Sequence, residues 1–299
     1  MVSGEILDKY QRAGQIAANV RDEMKRFVHE DMLIIDVCEK AEDLIREMGG
    51  KPAFPCNVSI NEIAAHYSSP PGDKRRIPKD SVVKIDVGVQ IDGYIADTAT
   101  TLCFNPEYQS LVLAAEEALG RAVEIIRPEL STSQFGSEIQ KLIKNRGFKP
   151  VSNLTGHQVG RYLIHAGKSL LNVPHFSIEK IHSGEVYAIE PFVTLSDAAG
   201  RVESGSEAYI LRFNRHKSLK SADSKDLLKY IVKNFRTLPF SERWLRGYMH
   251  KSWYKQAFSE LLSAKCITSY PVFIEASGKT VAQAEHTVLV DEREAVVLT

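Results

Sequence analysis

The run Val82-Val83-Lys84-Ile85-Asp86-Val87-Gly88-Val89-Gln90-Ile91 is followed by Asp92-Gly93 and then by Tyr94-Ile95-Ala96-Asp97-Thr98-Ala99-Thr100-Thr101. Two β-prone runs joined by Asp-Gly read as a hairpin with a two-residue turn. If Ile91 faces Tyr94 across that turn, Asp97 falls opposite Gly88. Asp86 lies two residues from Gly88, so the strand period puts both aspartates on one face, diagonal to each other. Their backbones then stand roughly 7–8 Å apart, within reach of a common pair of cations. Gly88 leaves room beside them. Aspartate is depleted in strands, so two in one hairpin require a reason. Exposure on an open face meets that requirement, and so does a metal or acid/base site; the hairpin alone leaves both open.

Upstream of the hairpin, Ile6, Leu7, Tyr10, Ile16, Ala17, Val20, Met24 and Phe27 recur at helical spacing opposite a charged face. A second helix is predicted from about Asp36 to Met48, stopped by Gly49-Gly50. Downstream, one helix runs from about Glu107 to Ile126 and ends before Pro128. The next starts after Ser131 or Thr132, either of which suits an N-cap, and ends at Gly147. The order helix, helix, strand pair, then helix, helix, strands predicts an α+β domain with two similar halves, although no sequence repeat marks them. Residues from about 215 to 265 differ. Leu227 to Phe235, Trp244 to Tyr248 and Ala257 to Leu262 show helical spacing, and Tyr270-Pro271 closes the segment. The expectation is one catalytic domain over 1–299, interrupted by a three-helix insertion.

Composition narrows the class. The chain has 299 residues, 43% hydrophobic, which is ample for a core. Lys plus Arg total 38 and Asp plus Glu total 38, so no net field draws the protein to nucleic acid or anionic lipid. No apolar run reaches the roughly 20 residues that span a bilayer. Met1-Val2-Ser3-Gly4-Glu5 lacks the pattern of a secretion leader, and the cysteines at 38, 56, 103 and 266 show no CxxC pairing. These features predict a cytoplasmic protein with reduced thiols, no membrane partner and no specific nucleic acid.

Three further segments place reactive side chains among apolar ones. In Leu154-Thr155-Gly156-His157 the glycine lets a ligand approach the imidazole. In Val186-Tyr187-Ala188-Ile189-Glu190-Pro191-Phe192 an acid interrupts an apolar run. In Val281-Ala282-Gln283-Ala284-Glu285-His286-Thr287 another does the same. Each taken singly reads equally well as surface decoration.

Taken together, Asp86, Asp97, Gly156-His157, His165-Ala166-Gly167, Ala188-Ile189-Glu190-Pro191 and Glu285-His286-Thr287 resemble the methionine aminopeptidases over essentially the whole chain. Asn57 to His66 is similar to the segment that carries that family's first active-site histidine. The long interval between Glu190 and Glu285 resembles the type 2 branch, in its archaeal form. One departure is Ala284, where relatives commonly carry Phe, which alters a pocket wall but not the ligand set.

The resemblance implies a pita-bread fold and removal of N-terminal methionine from nascent polypeptides, with a small second residue preferred. It implies two divalent cations (Co, Mn, Fe or Zn) on Asp86, Asp97, His157, Glu190 and Glu285, with Asp97 and Glu285 bridging. Glu190 would shuttle the proton, and His165 and His66 would contact the substrate amide. Phe54, Tyr270 and Ile164 would wall the substrate pocket. Electrostatics agrees: at about 5 Å and an effective dielectric of about 20, each carboxylate pair repels by roughly 3 kcal/mol, which two divalent cations offset. A monomer acting on nascent chains, with the ribosome as a further partner, is the expected setting. The rival readings are a proline-specific exopeptidase of the same fold (a prolidase or X-prolyl aminopeptidase) and a non-catalytic, ribosome-associated relative.

Overall fold

A computed structural model describes residues 4–299; the reading of Met1, Val2 and Ser3 lies outside the described residues. The hairpin forms in the expected register. Val82–Ile91 pairs antiparallel with Tyr94–Cys103, Ile91 lies opposite Tyr94, and Gly88 lies opposite Asp97. Asp92 and Gly93 take φ of 51° and 89°, the two positive values this turn demands. Asn57–Ile60 extends the sheet, with Asn57 opposite Asp86.

Helix α1 (Gly4–Phe27) and helix α2 (Ile34–Glu47) cover this sheet. The α1 stripe of Ile16, Ala17, Val20 and Met24 joins Val83, Ile85, Val87 and Val89 in one buried cluster. That explains the near-continuous apolar pattern of the strand. Helix α2 ends where predicted: Gly49 has φ 85°, and the Gly49 and Gly50 amides donate back to the Arg46 and Ile45 carbonyls.

The second half repeats the plan. Helix α3 (Gln109–Ile125) is preceded by a single 3-10 turn, and helix α4 (Thr132–Asn145) is capped by Ser131, whose Oγ accepts from the Gln134 amide. Helix α3 packs on strands Val186–Ile189, Phe192–Leu195 and Val281–Gln283, and α4 packs on α3 and on strands Phe148–Pro150 and Ser169–Leu171, all around one buried cluster. The halves join along Tyr94–Cys103. Ala99 bridges Glu285, and the Thr98 and Thr101 hydroxyls donate to the Glu285 and Gln283 carbonyls.

The segment from 210 to 270 packs around its own cluster, including Leu227, Ile231, Phe240 and Leu261. Helices α5 (Ala222–Phe235) and α6 (Lys251–Ser263) lie against a small sheet in which Ile210–Phe213 pairs with Ile267–Tyr270 and Phe240–Ser241. The helix expected near Trp244 is only a 3-10 turn, Glu242–Leu245. Pro239 before it and Gly247 after it leave too few residues to repay helix nucleation.

That turn carries the anchor to the rest of the molecule. Arg243 donates to both Glu42 oxygens at 2.8 and 2.6 Å, and Trp244 Nε1 donates to Glu42 at 2.6 Å. Glu42 also accepts from the Cys56 amide, and Arg243 Nε donates to the Ser69 carbonyl. Both charged side chains are buried. Removing one partner strands the other charge, so Glu42→Leu is expected to lower stability by about 3–5 kcal/mol. The double variant Glu42→Leu/Arg243→Met should recover most of that loss. Urea denaturation checks this, and equal losses in the single and double variants would contradict it.

Candidate metal centre

The hairpin face that carries Asp86 and Asp97 forms the floor of a cavity of about 340 Å³. His157 enters it from the Thr155–Gln158 strand, Glu190 from the end of Val186–Ile189, and Glu285 from between two strands. All four predicted acids and the predicted imidazole therefore line one space. Asp97, His157 and Glu285 each present a ligand atom, and these atoms lie within 4.8 Å of one another. His157 Nε2 stands 3.8 Å from Asp97 Oδ2 and 3.5 Å from Glu190 Oε1.

Backbone contacts hold the set. The Thr287 hydroxyl accepts from the Asp97 amide at 2.7 Å and donates to the Asp97 carbonyl at 2.8 Å. This ties the Asp97 strand to the strand that follows Glu285. Gln283 Nε2 donates to Glu190 at 3.4 Å, and Asn57 Nδ2 reaches Asp86 at 3.5 Å. These two amides escaped the sequence reading. Their signal was a polar side chain within an apolar strand, but nothing local marked the direction it faced.

Both glycines singled out from the sequence do something other than expected. The space over Gly88 is filled by the Phe54 ring, which a Cβ there would strike. At Gly156 a Cβ would come within 2.6 Å of the Ala188 carbonyl. That glycine lets the neighbouring strand approach; it does not open the imidazole to a ligand.

Burial sets the protonation of the site. It raises the Asp86 carboxyl to about 7. Asp97, Glu190 and Glu285 also lie well above the usual carboxylate range, first through burial and then through one another's charge. Burial lowers His157 to about 3, helped by the nearby His165, and lowers His66 to about 4. The imidazoles are neutral at pH 7 and keep a lone pair to offer. Asp86 Oδ1, Asp97 Oδ1 and Glu285 Oε2 are buried without a hydrogen-bond partner. Four carboxylates and an imidazole, with acceptor atoms left unsatisfied, suit divalent cations of the Mn, Fe, Co or Zn type.

Around this centre, His165 packs against His157 with ring centroids 4.2 Å apart and planes tilted by 53°, and it is exposed at the cavity mouth. His66 holds φ 67°, lies 3.3 Å from the Pro271 carbonyl through Nδ1, and packs on Phe273 and Tyr270. Phe54, Tyr270 and Ile164 line the cavity as expected, joined by Phe192, Phe273 and Ile210, which had not been foreseen. His286 turns away from the cavity, to Arg21 and Thr299.

Comparison with known proteins agrees with this geometry. The profile of metallopeptidase family M24 matches residues 8–292. A methionine aminopeptidase of Methanocaldococcus jannaschii is 41% identical over 285 residues, 95% of each chain. Among solved structures, a thermophilic Arx1 superposes with a TM-score of 0.82 at 22% identity, covering 100% of this chain and 91% of the other. A methionine aminopeptidase from Thermotoga maritima gives 0.72 at 20% identity, covering 99% and 97%. At such identities the two structures speak for the fold alone, and it is the fold that the sequence pattern led us to expect.

The raised carboxyls carry a consequence for pH. Folding stability linked to a raised carboxyl is present below its unfolded value and is lost as pH rises through the folded one. For Asp86 that window runs from 3.8 to about 7. Metal-free protein should therefore melt at falling temperature as pH climbs through this window, and added Mn²⁺ should remove the fall. A metal-free melting temperature independent of pH would count against the site.

Proposed function

The chain belongs to metallopeptidase family M24, and from that premise we propose that it removes the N-terminal methionine of polypeptides, with cations held by Asp86, Asp97, His157, Glu190 and Glu285. The observation that carries this reading is the convergence of those five side chains, three of them with unpaired buried oxygens, at the floor of a cavity with apolar walls. Asp86, Asp97, His157, Glu190 and Glu285 would hold the ions, with Asp97, His157 and Glu285 presenting ligand atoms within 4.8 Å of one another. When bound, such a pair polarises the scissile carbonyl and makes water nucleophilic near neutral pH.

The protein's own groups supply the rest. Glu190 keeps one oxygen on Gln283 and turns the other toward His157, so it is held in place to take a proton from water and pass it to the leaving amine. Neutral His165 at the mouth can donate to the substrate carbonyl and stabilise the charge that develops on its oxygen, while His66, its Nδ1–H on the Pro271 carbonyl, can offer Nε2 as an acceptor to the substrate amide N–H. Phe54, Ile164 and Tyr270 offer an unbranched thioether an apolar wall, and a small second residue is the proposed preference beside it. The wider setting is part of the proposal: a single catalytic domain with an insertion at about 215–265, monomeric and cytoplasmic, meeting nascent chains at the ribosome. No helix among the described residues is long and apolar enough to cross a membrane.

The intact ligand set speaks against a non-catalytic role. The similarity to a methionine aminopeptidase over 95% of both chains speaks against a proline-specific exopeptidase. Release of methionine from Met-Gly-Gly, tested against a proline dipeptide, separates the readings. Glu190→Gln and His157→Ala should each lower kcat/KM for Met-Gly-Gly by roughly a hundredfold or more, with circular dichroism unchanged. Rates near the parent's in a metal-replete assay would reject these roles.

A further inference from the structure

Three arginines lie against aromatic rings, one of which walls the cavity and one of which packs on its walls. Arg212 follows the wall residue Ile210 by two positions and so shares its face of the Ile210–Phe213 strand. Its guanidinium lies 5.3 Å from the centre of the Tyr270 ring, another wall. Arg236 lies 4.3 Å over the Tyr162 ring; Arg161 lies 5.8 Å from the same ring and 5.3 Å from that of Tyr94. Tyr162 packs with Phe54 and Ile164, both cavity walls.

Arg161 donates its Nε–H to the Asp92 carbonyl at 3.0 Å. All three arginines are exposed, and none belongs to an ion pair among the described residues. The acids nearest Arg161 are Glu5 and Asp92, and both pair with Lys9, at 2.8 and 3.3 Å. A guanidinium laid on an aromatic face keeps its edge N–H donors turned outward, in the fork that matches a carboxylate. The backbone beneath two of them is strained: Tyr162 has φ 58° and Arg236 has φ 55°, and the Thr237 hydroxyl donates to the Tyr162 carbonyl. Non-glycine residues hold such angles only where the surroundings over-determine them, and such places cluster at ligand clamps.

We propose that this arginine rim binds carboxylates of the substrate polypeptide beyond the second residue, so that acidic segments downstream of the cleaved bond are preferred. The inference rests on the aminopeptidase reading, because a polypeptide whose first residue occupies the floor must leave past the rim. A carboxylate on that polypeptide is delivered at high effective concentration, so three donors suffice. Nucleic-acid phosphates would also suit guanidinium groups. However, a chain of zero net charge with three scattered cations presents no extended basic track.

The test uses the full, metal-loaded chain and C-terminally amidated Met-Gly-Gly-Glu-Glu, Met-Gly-Gly-Gly-Gly and Met-Gly-Gly-Lys-Lys. The acidic peptide should exceed the basic one roughly tenfold in kcat/KM at low salt, chiefly through KM, with the ratio falling toward one as salt approaches about 0.5 M. Arg212→Gln and Arg236→Gln should each shrink the ratio, and Arg212→Glu/Arg236→Glu should reverse it. A ratio near one in the parent at low salt overturns the proposal whatever the variants do. So does inhibition by an RNA oligonucleotide with no advantage for the acidic peptide. Failure to cleave any of the three, the glycine peptide included, brings down the aminopeptidase reading and this inference with it.

Discussion

Four carboxyl groups that burial, joined at Asp97, Glu190 and Glu285 by the charge of neighbouring acids, holds above their ordinary range form the constraint around which this molecule is organised. In water each would be ionised near neutral pH. Gathered at the floor of one cavity, they cannot all be charged without compensation, and the described residues that line the cavity include no Lys or Arg. The two amides that touch the group, from Asn57 and Gln283, provide hydrogen bonds but no charge. The deficit defines what the site accepts, namely small, highly charged cations.

Holding such a group together requires a rigid frame, and the fold provides it through strands. Asp86 and Asp97 share one hairpin face, and Thr287 clamps the Asp97 backbone on both sides. The bridge from Ala99 to Glu285 joins the two halves at the place where the acids crowd. Each half buries its strands under a helix pair, so the apolar burial that stabilises the fold lies behind the site. The buried pair of Glu42 and Arg243 ties the insertion to helix α2 and so helps to fix the Ile210 and Tyr270 side of the cavity.

Zero net charge conceals a separation along the cavity axis. Buried acids and neutral imidazoles line the cavity, and exposed arginines lie against the Tyr270 and Tyr162 rings beside it. An amino group is drawn inward and carboxylates are held outward. A polypeptide entering by its N-terminus meets charges of the sense it needs at each level.

The sequence by itself determined the features governed by local spacing. The hairpin register follows from a period of two and an Asp-Gly turn, the helix stripes from a period of 3.6, and the cap at Ser131 and stop at Gly49 from single residues. The four acids and the imidazole were legible too, through their likeness to a known set. Only the tertiary structure decided what meets across long intervals. Gly156 serves the approach of the Ala188 backbone, Phe54 fills the space over Gly88, and Gln283 reaches Glu190. The middle helix of the insertion shrinks to one turn between Pro239 and Gly247. The physical reason is that backbone periodicity is written in neighbours along the chain. Which strand lies against a glycine, or which amide faces a carboxylate, depends on contacts that exist only once distant segments have packed.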